Sequence, residues 1–199
     1  MESQSMLGRS KFRGKFVKLY LVHPSNQHKV PLLKASEGDE QLLAGWGWRS
    51  LKPAWRTLQY GLFASSKRES NEPDICKCMS VGMTLRADLV DNVFPNTANE
   101  IELLPVLVDG KDWLFVNCLK TTMGYDAGRS KFLRSSEENN HIFMINYVVV
   151  TDGSVKEAEL FTLEDSNRAW VIATDSFVER IKRHKLNGLD FREIGFLDC

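Results

Sequence analysis

Four cysteines, four histidines and one segment holding three of the five tryptophans are the residues of this 199-residue chain whose types could do chemistry. The cysteines are Cys76, Cys78, Cys118 and Cys199. One Cys-Lys-Cys pair with two distant singles is not the paired spacing of a structural zinc site. Period-2 alternation would place Cys76 and Cys78 on one face of a strand, which favours packing over reactivity. A Cys118–His141 nucleophile pair lacks a third, orienting group. His23, His28, His141 and His184 are scattered without ligand spacing, and Glu137 and Glu138 are neighbours in a polar stretch where they do not converge on one substrate atom. The phosphate-loop, dinucleotide, zinc-protease and nucleophile-elbow signatures are all missing. The expectation is a protein with no catalytic set, no metal and no cofactor, and the residues make no positive case for an enzyme.

The segment Gly45–Arg56, GWGWRSLKPAWR, stands out. Trp46, Trp48 and Trp55, together with Arg49 and Arg56, are the residue types that dominate protein-binding hot spots. Glycine on either side of Trp46, and Pro53 further on, argue against a long helix and for a backbone that could turn the indoles outward. Tryptophan also fills cores, so the interface reading and the packing reading both stand. At the N-terminus, Arg9–Lys18 interleaves positive charge with Phe12 and Phe16, as a phosphate-tracking arm would. A frayed, solvated terminus explains the same pattern.

Lys+Arg 26 against Asp+Glu 26 leaves no formal net charge. This excludes a wholesale nucleic-acid binder, whose footprint is an excess of Lys and Arg. With 43% hydrophobic residues spread along its length, the chain can bury one sizeable core. Residues 1–14 show no apolar stretch of a secretory signal, and no apolar run approaches the ~20 residues of a membrane span. The expected setting is therefore the cytoplasm, with reduced thiols and no membrane contact.

The elements that must position these residues follow from periodicity. Lys15–His23 alternates as a strand, with Phe16, Lys18 and Tyr20 on one face and Val17, Leu19 and Leu21 on the other. Asp74–Met83 reads as a strand, with Thr84 capping a helix to Phe94. Glu100–Val108 and Asp112–Leu119 read as a hairpin about Asp109-Gly110. Gly124–Asn140 reads as a loop with a short helical piece, and His141–Thr151 as a strand. Asp152-Gly153 turns the chain into the strand Ala158–Leu163. Ala169–Ala173 is a strand, Thr174 caps a helix from Asp175 to about Lys185, Leu186–Gly188 stops it, and Leu189–Ile194 is a final strand. The order strand, Thr-capped helix, strand thus occurs twice. The sum is an α+β fold, a mostly antiparallel sheet with a few packed helices, as one domain over 15–199 behind a flexible basic arm, 1–14.

Glu100–Thr122 (EIELLPVLVDGKDWLFVNCLKTT) resembles the "iellPv.v.g..yyvlNvl" block of a bacterial family first classed as a domain of unknown function. That family, typified by a myxobacterial protein, was later assigned to the immunity proteins of polymorphic toxin systems. Ser130 falls where the family has a serine, and Glu159–Leu163 is similar to its "aDIFRL" strand. Val171–Ile181 is similar to "vivSerfkdal", with Thr174 in place of Ser, and Leu186–Phe191 to "gltGlrF". The likeness is strongest over 74–194, and its motifs are structural. Cys118 sits where aliphatics are usual, and the tryptophan cluster is not part of the pattern. The resemblance implies a cytoplasmic, non-enzymatic protein that binds a cognate toxin and neutralises it by stoichiometric occlusion. Two other classes stay open: an enzyme of unrecognised type that counteracts toxin damage, and a nucleic-acid-binding accessory using the basic arm, a partner that the neutral total disfavours.

Overall fold

The computed structural model describes residues 16–34, 36–44, 46–47, 49–64, 71–78, 81–95, 100–135, 140–166 and 170–198. The strands are β1 (Val17–Pro24), β2 (Val30–Leu33), β3 (Leu58–Phe63), β4 (Ile75–Lys77), β5 (Met83–Arg86), β6 (Ile101–Val108) and β7 (Lys111–Cys118) in the first part. Then come β8 (Thr121–Thr122), β9 (Lys131–Arg134), β10 (Ile142–Val150), β11 (Leu160–Leu163), β12 (Val171–Thr174) and β13 (Leu189–Leu197). Among the described residues the α-helices are α1 (Asp39–Leu43), α2 (Val90–Val93) and α3 (Asp175–Arg183). The strands form two mixed sheets, one ordered β8-β11-β12-β1-β13-β10-β9 and the other β2-β3-β6-β7-β5-β4. The fold is α+β as expected. Most pairings are antiparallel, but β3–β6, β10–β13 and β8–β11 run parallel.

Two cores follow from the alternation. Leu19 and Leu21 face a cluster with Ile145, Val148, Phe161 and Ile194 on one side of the seven-stranded sheet. Val22 faces the other side, where Phe177, Val178 and Ile181 of α3 cover β1 and β12 and join the core cluster that the six-stranded sheet also builds. Arg180 extends this contact, pairing with Glu159 and donating to the Val93 carbonyl. The basic end of α3 therefore holds an interhelical seam as well as offsetting the helix dipole. Both sheets curl. Lys29 N–H donates to Asn71 O, which draws the β2 edge toward the chain entering β4. Arg134 reaches Asp165 across the open side of the other sheet.

Several expectations change. Asp74–Met83 is two antiparallel strands, β4 and β5, linked where Cys78 N–H donates to Gly82 O. Thr84 lies inside β5 and is fully buried, so it caps nothing; the helix after it is only a 3-10 turn, Ala87–Leu89, and α2. Thr174 does occupy the N-cap position of α3, but its hydroxyl meets Glu159 O and Ser176 rather than the helix N–H groups. The helix stops at Arg183, with Lys185 at φ 54 as the left-handed residue, and Gly188 instead packs closely on Pro73 and Ile75. The segment read as a loop contains β9. The hairpin stands as read, with Asp109 at φ 48 and Gly110 at φ 80. The 1–14 arm and Glu137–Glu138 lie outside the described residues. Among the described residues no helix is long and apolar enough to cross a membrane.

Candidate functional site

The tryptophan segment runs from α1 along the inner face of the six-stranded sheet, through a 3-10 turn at Lys52–Ala54, into β3. Trp46 is turned inward, at 4% exposure, contrary to an outward-facing indole. It sits over Gly82, whose missing side chain makes room: a Cβ there would lie 2.8 Å from Trp46 Nε1 and 2.4 Å from Phe115 Cζ. Trp55 is half-buried and stacks on Phe115 with centroids 5.6 Å apart, while its Nε1 donates to Pro105 O at 2.9 Å. These two indoles pack the sheet. Trp48 lies outside the described residues. Arg49 and Arg56 are exposed.

Two buried carboxylates hold this segment. Glu102, 5% exposed, stands directly across from Asn117 in the β6–β7 register. It accepts hydrogen bonds from the Ser50 hydroxyl, from Leu51 N–H at 2.8 Å and from Asn117 Nδ2 at 2.9 Å. Asn117 in turn donates to Arg49 O and accepts from Gly47 N–H, both at 3.0 Å. Burial pushes the Glu102 carboxyl up, but the bonds from Ser50, Leu51 and Asn117, with the Lys52 charge, outweigh it and hold the group below the usual carboxylate range. Asp39, 3% exposed, accepts from the Ser36 N–H and hydroxyl at 2.7 Å each and from Arg56 Nε at 3.0 Å. The Ser36 bonds first, then Arg56, hold its carboxyl low. Arg56 Nη2 also donates to Glu37 O at 2.7 Å, so its guanidinium is fixed from two sides.

Between α1 and this loop lies a cleft of about 530 Å³. Gln41 and Leu42 form one wall, Arg49, Ser50 and Leu51 another, and Arg56 closes the end. Of the five residues proposed from sequence, the cleft gathers Arg49 and Arg56. Trp55 stays on the sheet and Trp46 beneath it.

A second surface went unread in the sequence. Phe16, Leu133, Phe143, Met144 and Tyr147 are between 38% and 64% exposed. Met144 is opposite Leu133, and Phe16 and Tyr147 meet through Phe196, at centroid distances of 4.8 and 6.4 Å. Two bulges in β10 make Ile142, Ile145 and Val148 the inward residues, a spacing of three that simple alternation misassigns.

The remaining chemistry-bearing residues stay apart. Cys118 is buried in β7, whereas His141 is exposed beside β10 in the other sheet. Burial pushes the thiols of Cys78 and Cys118 up to about 12 and raises that of Cys76 as well. Thiols raised in this way stay protonated, and so poorly nucleophilic, near pH 8. In a Cys199→Ser variant, Ellman's reagent should therefore find almost no reactive thiol in the native protein and three after guanidinium denaturation. Fast native reaction of any of the three would contradict the burial. His23 is half-buried, its pKa lowered by burial and by the Arg192 and Lys77 charges, while His28 and His184 show no common target. Among the described residues no group of three or more His, Cys, Asp or Glu converges on a metal-sized space. No protein-family model matches the sequence, and no curated protein matches it.

Proposed function

We propose that this protein is a non-enzymatic, cytoplasmic immunity protein that binds one cognate bacterial toxin and neutralises it stoichiometrically by occlusion. The observation that carries the reading is the apolar solvent face of β9 and β10, with Phe16 beside it. Monomeric proteins rarely leave three aromatics, a methionine and a leucine contiguous and in water, and these are types that interface cores favour. Beside it Lys18 is matched by Glu193, its Nζ at 2.8 Å, and docking on the apolar residues themselves would rest on shape and apolar contact. The neutral total agrees with that, because it offers no generic attraction to a basic toxin. The resemblance over 74–194 supplies the partner class.

The test titrates the protein against the product of the adjacent toxin gene. Growth rescue should saturate at equimolar ratio with a sub-micromolar complex, and Phe143→Asp or Tyr147→Asp should weaken that complex by at least about thirtyfold without lowering Tm. Rescue at catalytic ratios, or no complex, would sink the proposal. Unchanged affinity in both variants would remove the docking face.

A further inference from the structure

We infer that the toxin adds an extended segment of its own to the free edge of β9, so that the two chains share one sheet. This rests on the toxin reading of the neighbouring apolar face, and it specifies how the partner holds that face. β9 ends the seven-stranded sheet, with β10 as its neighbour. The two bulges lie in β10, so backbone alternation along β9 is unbroken. Just beyond β9, Ser135 N–H donates to His141 O at 2.8 Å. Alternation then turns the main-chain groups of Lys131 and Leu133 toward β10, and those of Phe132 and Arg134 toward the open edge. Among the described residues these outward groups have no hydrogen-bond partner.

The edge is held ready for a partner. The Tyr125 ring meets Phe132 edge-on at 4.9 Å, and Arg134 donates to the Tyr125 hydroxyl and to Asn140 O, at 2.7 Å each. Arg134 also pairs with Asp165, so β9 needs little ordering on binding. The other edges offer less. Lys29 N–H and the His28–Asn71 bridge occupy the β2 edge, Asp74 and Ile75 N–H at the start of β4 are bonded to Asn187 O, and β8 is two residues long. β9 carries neither the proline nor the bulge that usually blunts an edge.

The side chains select the occupant. Leu133, 51% exposed and opposite Met144, belongs to the apolar face, so an apolar residue beside it extends that face. Lys131, two residues earlier, is exposed on the same face. Arg129 is matched by Asp126 and Asp198, and Arg134 by Asp165, whereas Lys131 has no ion pair among the described residues. The segment that fits is an extended strand with an apolar side chain beside Leu133 and a carboxylate beside Lys131. A second copy of this chain fits worse, because two-fold pairing of β9 sets two unmatched Lys131 side chains on one face of the seam.

The experiment is amide exchange by NMR on the labelled full-length protein, alone and saturated with the product of the adjacent toxin gene. In the complex the Phe132 and Arg134 amides should exchange at least about a hundredfold more slowly and show cross-strand backbone contacts to the toxin. Lys131→Glu should weaken the complex by at least about threefold at unchanged Tm. Phe132→Pro, which removes one outward N–H, should weaken it by at least about fivefold. If that variant loses Tm, the exchange result decides alone. A complex that Phe143→Asp weakens but that leaves both amides exchanging as in the free protein would overturn the edge pairing while the toxin reading stands. Slowing that follows protein concentration without toxin would make the occupant a second copy and overturn it too. Equal or tighter binding by Lys131→Glu would overturn the carboxylate, and no complex at all would end both readings.

Discussion

Gly195→Ala is expected to destabilise the protein by at least about 3 kcal/mol, the sum of strained backbone and forced overpacking. Gly195 sits in β13 at φ 149, in a region that L side chains rarely adopt. A Cβ built there would lie 1.8 Å from Val148 O and 2.8 Å from Val148 C. The obstacle is backbone, so no rotamer change relieves it. Nor can the strand move aside: the β1 register shifts here, Leu19 facing Gly195 and Tyr20 facing Glu193, while Val148 faces Gly195 from β10. The added methyl must break either the bulge or the parallel β10–β13 pairing, and both close the core holding Ile194, Val148 and Leu197. For a chain of this size the loss corresponds to a Tm lower by roughly 6–12 °C. Gly153→Ala is the control, because nothing lies within 4 Å of its added Cβ; it should stay within ~0.5 kcal/mol of wild type. Urea unfolding of the three proteins decides the matter, and a Gly195→Ala cost below about 1 kcal/mol would mean that the bulge relaxes freely.

The same bulges mark the boundary of what periodicity reveals. Where strands run regularly, periodicity and the Asp109-Gly110 turn place β1, β6 and β7 within a residue or two, and alternation assigns the faces of β1. Thr84 shows the opposite case. A threonine before an apolar run satisfies the local rule for a helix cap, yet pairing with Phe115 on β7 and Cys76 on β4 makes it a strand residue. Those are nonlocal contacts that no window of neighbouring residues encodes. β9 was hidden for a related reason, being short and polar at both ends and defined by its pairing with β10. The candidate site divides likewise. The unusual composition of Gly45–Arg56 points to the region, and Arg49 and Arg56 do line the cleft. The residues that hold its walls had a fainter signal, a lone Glu102 and a lone Asn117 inside apolar strands, each on the inward parity. A polar residue at such a position has a structural debt to another segment, but one strand's sequence does not say which.

Glu102→Ala is expected to cost at least about 3 kcal/mol, because it leaves three buried donors without their acceptor at roughly 1–3 kcal/mol each. The substitution strands Leu51 N–H, the Ser50 hydroxyl and Asn117 Nδ2 in a region closed to water. Glu102→Gln keeps the shape but not the acceptors: three donors converge on the carboxylate, and an amide supplies one oxygen and turns an N–H₂ group toward the rest. A loss of about 1–3 kcal/mol is expected for it at pH 7. The pH dependence distinguishes lost charge from lost packing. Because the folded carboxyl lies below its ordinary value of 4.5, its contribution is fully present above that pH and is lost as pH falls through the folded value. The gap between wild type and Glu102→Gln should thus be flat above about pH 5 and narrow below about pH 4. Asn117→Ala should be strongly non-additive with Glu102→Ala, since both remove parts of one network. A gap that is independent of pH from 3 to 7 would mean the carboxylate acts only as volume.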